Sequence, residues 1–194
     1  MAPNQMNVDQ VDPLTTAFSP LIGKPAWQVR RGYGSSLTLE FGEPHLRIRE
    51  PMPDANSWVL RRRKITIAGD WHLWIDCCAW RIRSAGKAIA RSSGSMKRID
   101  AAAREVDGQR LISVEVDPGK GTSSFVFDEG AVIETWPWKE DVDKATDPYE
   151  QWYLSMKSGD WLAYREDGHY SLGPGNRTPD EHIWLPLEGA HIVK

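Results

Sequence analysis

Short runs of alternating apolar and polar residues, each closed by a glycine, proline or aspartate turn, recur along this 194-residue chain. A period of two sends successive side chains to opposite faces of a strand, so the pattern points to antiparallel β-structure. Ser36-Leu37-Thr38-Leu39-Glu40-Phe41 puts Leu37, Leu39 and Phe41 on one face. Gly42-Glu43-Pro44 follows as a turn, and His45-Leu46-Arg47-Ile48-Arg49 alternates again, which reads as a β-hairpin. Lys64–Ile67, Trp71–Ile75 and Trp80–Ile82 continue in the same style, rich in aromatic and β-branched residues that fit a pleated surface. One segment has a different period. Met96, Ile99, Ala102, Ala103 and Val106 recur at helical spacing, with Ser93 or Ser95 placed to cap the start and Gly108 to stop the end. The expected fold is mainly β, an α+β chain with one helix near 95–107, arranged as an antiparallel sandwich or barrel.

A core must come from unusual material. Leu, Ile, Val and Phe make up about a fifth of the chain, close to the roughly 20% at which disorder sets in. Ten Trp and five Tyr compensate, since each buried ring removes about 150–250 Å² from water. No apolar run approaches the 18 or so residues of a membrane helix, and the first residues do not read as a signal peptide. Two cysteines, Cys77 and Cys78, build no disulfide framework, which fits a reducing cytoplasm.

Residues 1–20 show no period and read as a mobile or loosely docked tail, leaving 21–194 as a single β-rich domain. Within it, Gly34–Gly42 resembles Gly121–Gly130, Trp71–Ile75 resembles Tyr149–Tyr153, and Trp80–Arg83 resembles Trp161–Arg165. Two readings fit. Either halves 21–94 and 108–172 are duplicates joined by the helix, or any two meanders with turns look alike. Residues 138–148 form an acidic connection, and 173–179 a second loop. Residues 182–187 read as an extended tail laying Trp184 across the sheet.

The chemical motifs are sparse. Asp117-Pro-Gly-Lys120-Gly-Thr122-Ser123 lacks phosphate-loop spacing and precedes a strand, so it reads as a hairpin turn. Adjacent Cys77 and Cys78 point to opposite strand faces, the wrong arrangement for a redox pair or zinc ligands. The five histidines, at 45, 72, 169, 182 and 191, form no metal-binding motif, and the pairs Glu166-Asp167 and Asp180-Glu181 lie in turns. No catalytic residues, metal or cofactor are assigned.

Charge and tryptophan carry what functional signal there is. Residues 1–107 sum to +5 and residues 108–194 to −8, for a net −3. Arg61, Arg62, Arg63 and Lys64 form the strongest run, with Trp58 beside it. Such a run docks an acidic partner, pairs with the chain's own Glu140, Asp141 and Asp143, or keeps a strand edge soluble. Nucleic acid is not expected, given the overall negative charge. Trp71, Trp80, Trp136, Trp138 and Trp161 are candidates for a pocket lining. Beyond these residues, the chain resembles small bacterial β-rich proteins of unknown function, some of them immunity partners of toxins. The resemblance rests on no shared motif and gives no residue a role. The leading expectation is a non-enzymatic module that docks a protein partner, in the manner of an immunity protein or adaptor. The alternative is a β-barrel that holds a small molecule in a Trp-lined pocket.

Overall fold

A computed structural model describes residues 12–138 and 148–194. The chain runs α1 (Pro13–Phe18), β1 (Trp27–Arg31), β2 (Leu37–Phe41), β3 (His45–Arg49), β4 (Lys64–Ala68), β5 (Trp71–Ile75), β6 (Ala79–Ser84), β7 (Lys87–Arg91) and α2 (Met96–Val106). It continues with β8 (Leu111–Asp117), β9 (Thr122–Phe127), β10 (Val132–Trp136), β11 (Glu150–Ser155), β12 (Asp160–Arg165), β13 (His169–Pro174), β14 (Leu185–Pro186) and β15 (His191–Val193). All pairings between named strands are antiparallel. They make a seven-stranded sheet, β1-β2-β5-β11-β12-β13-β14, a six-stranded sheet, β15-β8-β9-β10-β6-β7, and a separate two-stranded ribbon, β3-β4.

The two large sheets share one core. Trp152 of β11 meets Phe125 of β9 edge-on at 5.8 Å between centroids, and Phe18 of α1 packs on both, at 5.6 and 6.0 Å. Leu37, Leu39, Phe41, Phe125 and Phe127 are all buried, as their alternation predicts. Helix α2 lies where its spacing places it, with Ile99, Ala102, Ala103 and Val106 turned inward. Ser95 occupies its N-cap position without a side-chain cap bond. The Asp117–Thr122 connection is a turn between β8 and β9, as expected, closed by Lys120 N–H to the Asp117 carbonyl. Leu185 and Pro186 pair with β13, and Trp184 lies half-buried beneath the Arg165 guanidinium at 4.4 Å.

Three expectations change. Residues 12–20 are no loose tail: Asp12 caps α1 by accepting from Leu14 and Thr15 N–H, Pro13 starts the helix, and Leu14, Ala17 and Phe18 are buried. Residues 1–11 lie outside the described residues. The hairpin expected between 36–41 and 45–49 does not form, because β2 pairs with β5 and β3 with β4. Trp74 matches Trp152 in the similar stretches and is expected from that to be buried as Trp152 is, but it is not a core partner of Trp152. It sits one pleat away, on the outer face, against Tyr153 at 5.0 Å. The similar stretches 34–42 and 121–130 fall on β2 and β9, each the middle strand of an antiparallel trio, β1-β2-β5 in the larger sheet and β8-β9-β10 in the other. The acidic connection, with Glu140, Asp141 and Asp143, falls within 139–147, outside the described residues.

Candidate functional site

The strands β2 and β5 form a hairpin whose connection, residues 42–70, carries the β3-β4 ribbon as an arm. Two glycines make its neck. Gly42 has φ +79°, and a Cβ there would lie 2.8 Å from Asp70 Cβ and from the Trp71 ring. At Gly69 a Cβ would meet the Phe41 carbonyl oxygen, so only glycine allows the returning chain to cross β2 this closely. Asp70 secures the turn by accepting Glu43 N–H and pairing with Lys157 Nζ at 3.1 Å.

Beside the neck, Glu40, His72 and Ser155 stand side by side on β2, β5 and β11, on the outer face of the sheet. His72 Nδ1 lies 2.8 Å from Glu40 Oε1, and Gly69 N–H donates to Glu40 Oε2 at 2.9 Å. Burial alone would raise the Glu40 carboxyl. The bonds from His72 and Gly69, with the charges of His72 and Arg47, outweigh it and hold the group below its ordinary range. A carboxylate can only accept, so His72 Nδ1 carries the hydrogen. Along the same face Trp74, Tyr153 and Trp161 form a ladder, with Tyr153 and Trp161 nearly parallel at 4.9 Å.

The arm is amphipathic with its apolar side outward. Leu46 pairs with Ile67 and Ile48 with Ile65, so the four share one face, and they are 65%, 49%, 53% and 56% exposed respectively. Met52, Trp58 and Val59 at the tip are exposed too, Trp58 by 68%. The tip is held by Met52 N–H to the Leu60 carbonyl, Arg61 Nε–H to the Ala55 carbonyl and Arg49 Nη2–H to the Val59 carbonyl. The opposite face carries Arg47, Arg49, Lys64 and Thr66. Residues 45–68 hold six Lys/Arg against two Asp/Glu, a net +4 in a chain of net −3.

The basic run therefore sits at the tip end of the arm, where Lys64 pairs with Arg49, and Arg61, Arg62, Arg63 and Lys64 are all exposed. Arg63 pairs with Glu50 at 2.9 Å, whereas the Arg62 and Lys64 side chains make no ion pair or hydrogen bond among the described residues. Trp58 is exposed at the same end of the arm. Sequence reasoning missed Leu46, Ile48, Ile65 and Ile67. Their alternation was legible, but a core-facing row and a solvent-facing row look the same in one dimension.

The five pocket candidates do not converge. Trp80 is buried in the core with its Nε1–H on the Ser35 carbonyl at 2.8 Å. Trp71 packs at the core margin under Lys24, Trp161 lies in the outer ladder, and Trp138 is exposed. Only Trp136 lines the open concavity of about 510 Å³ on the outer face of the six-stranded sheet, with Arg81 and Glu134 beside it. There Arg81 pairs with Glu134 and lies over the Trp136 ring at 5.6 Å. The shape is two packed sheets, and the barrel expected as the alternative's container is not the form the strands take. Burial raises both thiols, foremost Cys78, which leaves the reactive thiolate disfavoured. Among the described residues, no three His, Cys, Asp or Glu side chains group as metal ligands, and no helix is long and apolar enough to cross a membrane.

Compared with known proteins, the chain matches no family model, and no curated protein or solved structure shows a significant match to it.

Proposed function

We propose that this protein is a binding module that docks a protein partner through the β3-β4 arm. The observation that carries the reading is the outward row Leu46, Ile48, Ile65 and Ile67, about half or more exposed, on a ribbon that also bears the cationic run. A solvated strand normally turns its apolar side inward, and contiguous exposed apolar surface bordered by charge marks an interaction site. Two strands alone are at best marginally stable in water, so a partner that covers the row also stabilises the ribbon. The cations favour an acidic rim on that partner and speed encounter at low salt.

The test is capture of a partner from the source cells, its purification, and titration against the wild type and the double variant Ile48→Glu/Ile65→Glu. The variant is expected to bind at least about tenfold more weakly, with an unchanged melting temperature. Reversing the charges of Arg62 and Lys64 should slow association and flatten its salt dependence. A partner that binds both proteins equally well overturns the reading.

A further inference from the structure

The arm offers more than a face. Among the described residues, strands β3 and β4 pair only with each other, so each has an outer edge with no described strand beside it. Such an edge presents a row of backbone donors and acceptors at strand spacing, the template for adding a third strand. Natural edges are usually blunted by charges pointing into the sheet face or by a covering segment. Here the cations lie on one side of the ribbon and four exposed aliphatic residues on the other, so both edges keep a regular amphipathic pattern.

We propose that the arm receives an extended segment of its partner as an added β-strand, one whose side chains alternate between apolar and acidic residues. This rests on the docking role proposed above and specifies the occupant. The pattern follows from the pleat. A strand added at either edge continues both faces, so its alternate side chains lie beside Leu46, Ile48, Ile65 and Ile67 and the others beside Arg47, Arg49 and Lys64. Apolar residues suit the first row and carboxylates the second. Charge also selects against a second copy of the chain. Two arms joined edge to edge would bring their like-charged rows together, and like charges on neighbouring strands are destabilising.

The test uses three end-capped nine-residue peptides: one alternating Val and Glu, one alternating Val and Lys, and one with the Val and Glu of the first gathered into two blocks. Binding to the full chain is titrated up to about 1 mM, and amide hydrogen exchange is followed residue by residue along β3 and β4. The alternating Val/Glu peptide should bind saturably and protect every second amide along one edge. The Val/Lys peptide and the block peptide should each bind at least about tenfold more weakly. In Arg47→Glu/Lys64→Glu, checked to melt like the wild type, the preference should reverse toward Val/Lys. Equal binding of all three peptides, no saturable binding of any, or protection without alternation overturns the strand-addition proposal. Self-association of the protein alone with the same alternating protection overturns it as well, in favour of a second copy. If Ile48→Glu/Ile65→Glu abolishes partner binding while the peptides fail, docking through the arm stands and only its strand-addition form falls.

Discussion

Two tryptophans that look equivalent in the sequence separate at the level of single residues. Trp152 is buried between Phe18, Phe125 and Tyr164, with its Nε1–H on Ser123 Oγ at 2.9 Å. Trp74, on the other face, keeps part of its ring in water and has a buried Nε1 without a partner among the described residues. Trp152→Ala is therefore expected to destabilise by about 3–5 kcal/mol and Trp74→Ala by less than half as much, as read from denaturant melts. Glu40 is the second residue with a sharp expectation. Its carboxyl is held below its unfolded value of about 4.5, so its contribution is complete above that pH and is lost as pH falls through the folded value. Glu40→Gln should be less stable than the wild type at neutral pH, by on the order of 1–3 kcal/mol, and the gap should close in melts taken progressively below pH 4.5. Equal gaps at pH 7 and pH 3 would show that the carboxylate form adds nothing.

The sequence was most readable at the level of elements where period alone decides the outcome. Leu37, Leu39 and Phe41, the pair Phe125 and Phe127, and the inner stripe of α2 all lie as their spacing dictates, because each buries one continuous face. Helix α1 was missed because six residues are too few to show a period, although Asp12-Pro13 is a recognisable N-cap and first-turn pair. The hairpin was misassigned for another reason. Pairing β2 with β5 depends on the close crossing of Phe41 and Gly69, which lie 28 positions apart in the chain, and no local pattern reports it. The arm that results is an insertion in a β2-β5 hairpin that is already hydrogen-bonded on both flanks, to β1 and β11. Replacing residues 44–68 with Asn-Gly, a pair suited to tight hairpin turns, should leave a cooperatively folded body. Its melting temperature should stay within a few degrees of the wild type while partner binding disappears. Collapse of the body would show that the arm is structural.

Across the whole molecule, the strands do not divide at the helix that divides the sequence. The larger sheet takes β1, β2 and β5 from before α2 and β11 to β14 from after it, joined where β5 pairs with β11. The smaller sheet takes β6 and β7 from before and β8, β9, β10 and β15 from after, joined where β6 pairs with β10. Each join is a full strand pairing inside its sheet, and the aromatic contacts of Phe18 with Trp152 and Phe125 link the same two portions. Two halves that folded separately and then docked would leave both sheets intact on separation, whereas this arrangement leaves neither. Each half alone would expose two long unpaired edges and half of the shared core. Residues 12–107 and 108–194 expressed apart should therefore lack cooperative thermal unfolding and a dispersed amide spectrum, and the full chain should melt in one transition. Because the β5-β11 contacts join residues 77 to 83 positions apart and the β6-β10 contacts residues 49 to 57 apart, loop entropy must be met before they form, and refolding should be slow for a chain of this size. A half that folded and melted cooperatively by itself would mean that its own sheet segments suffice, and that the interleaved pairing is a docking step after folding.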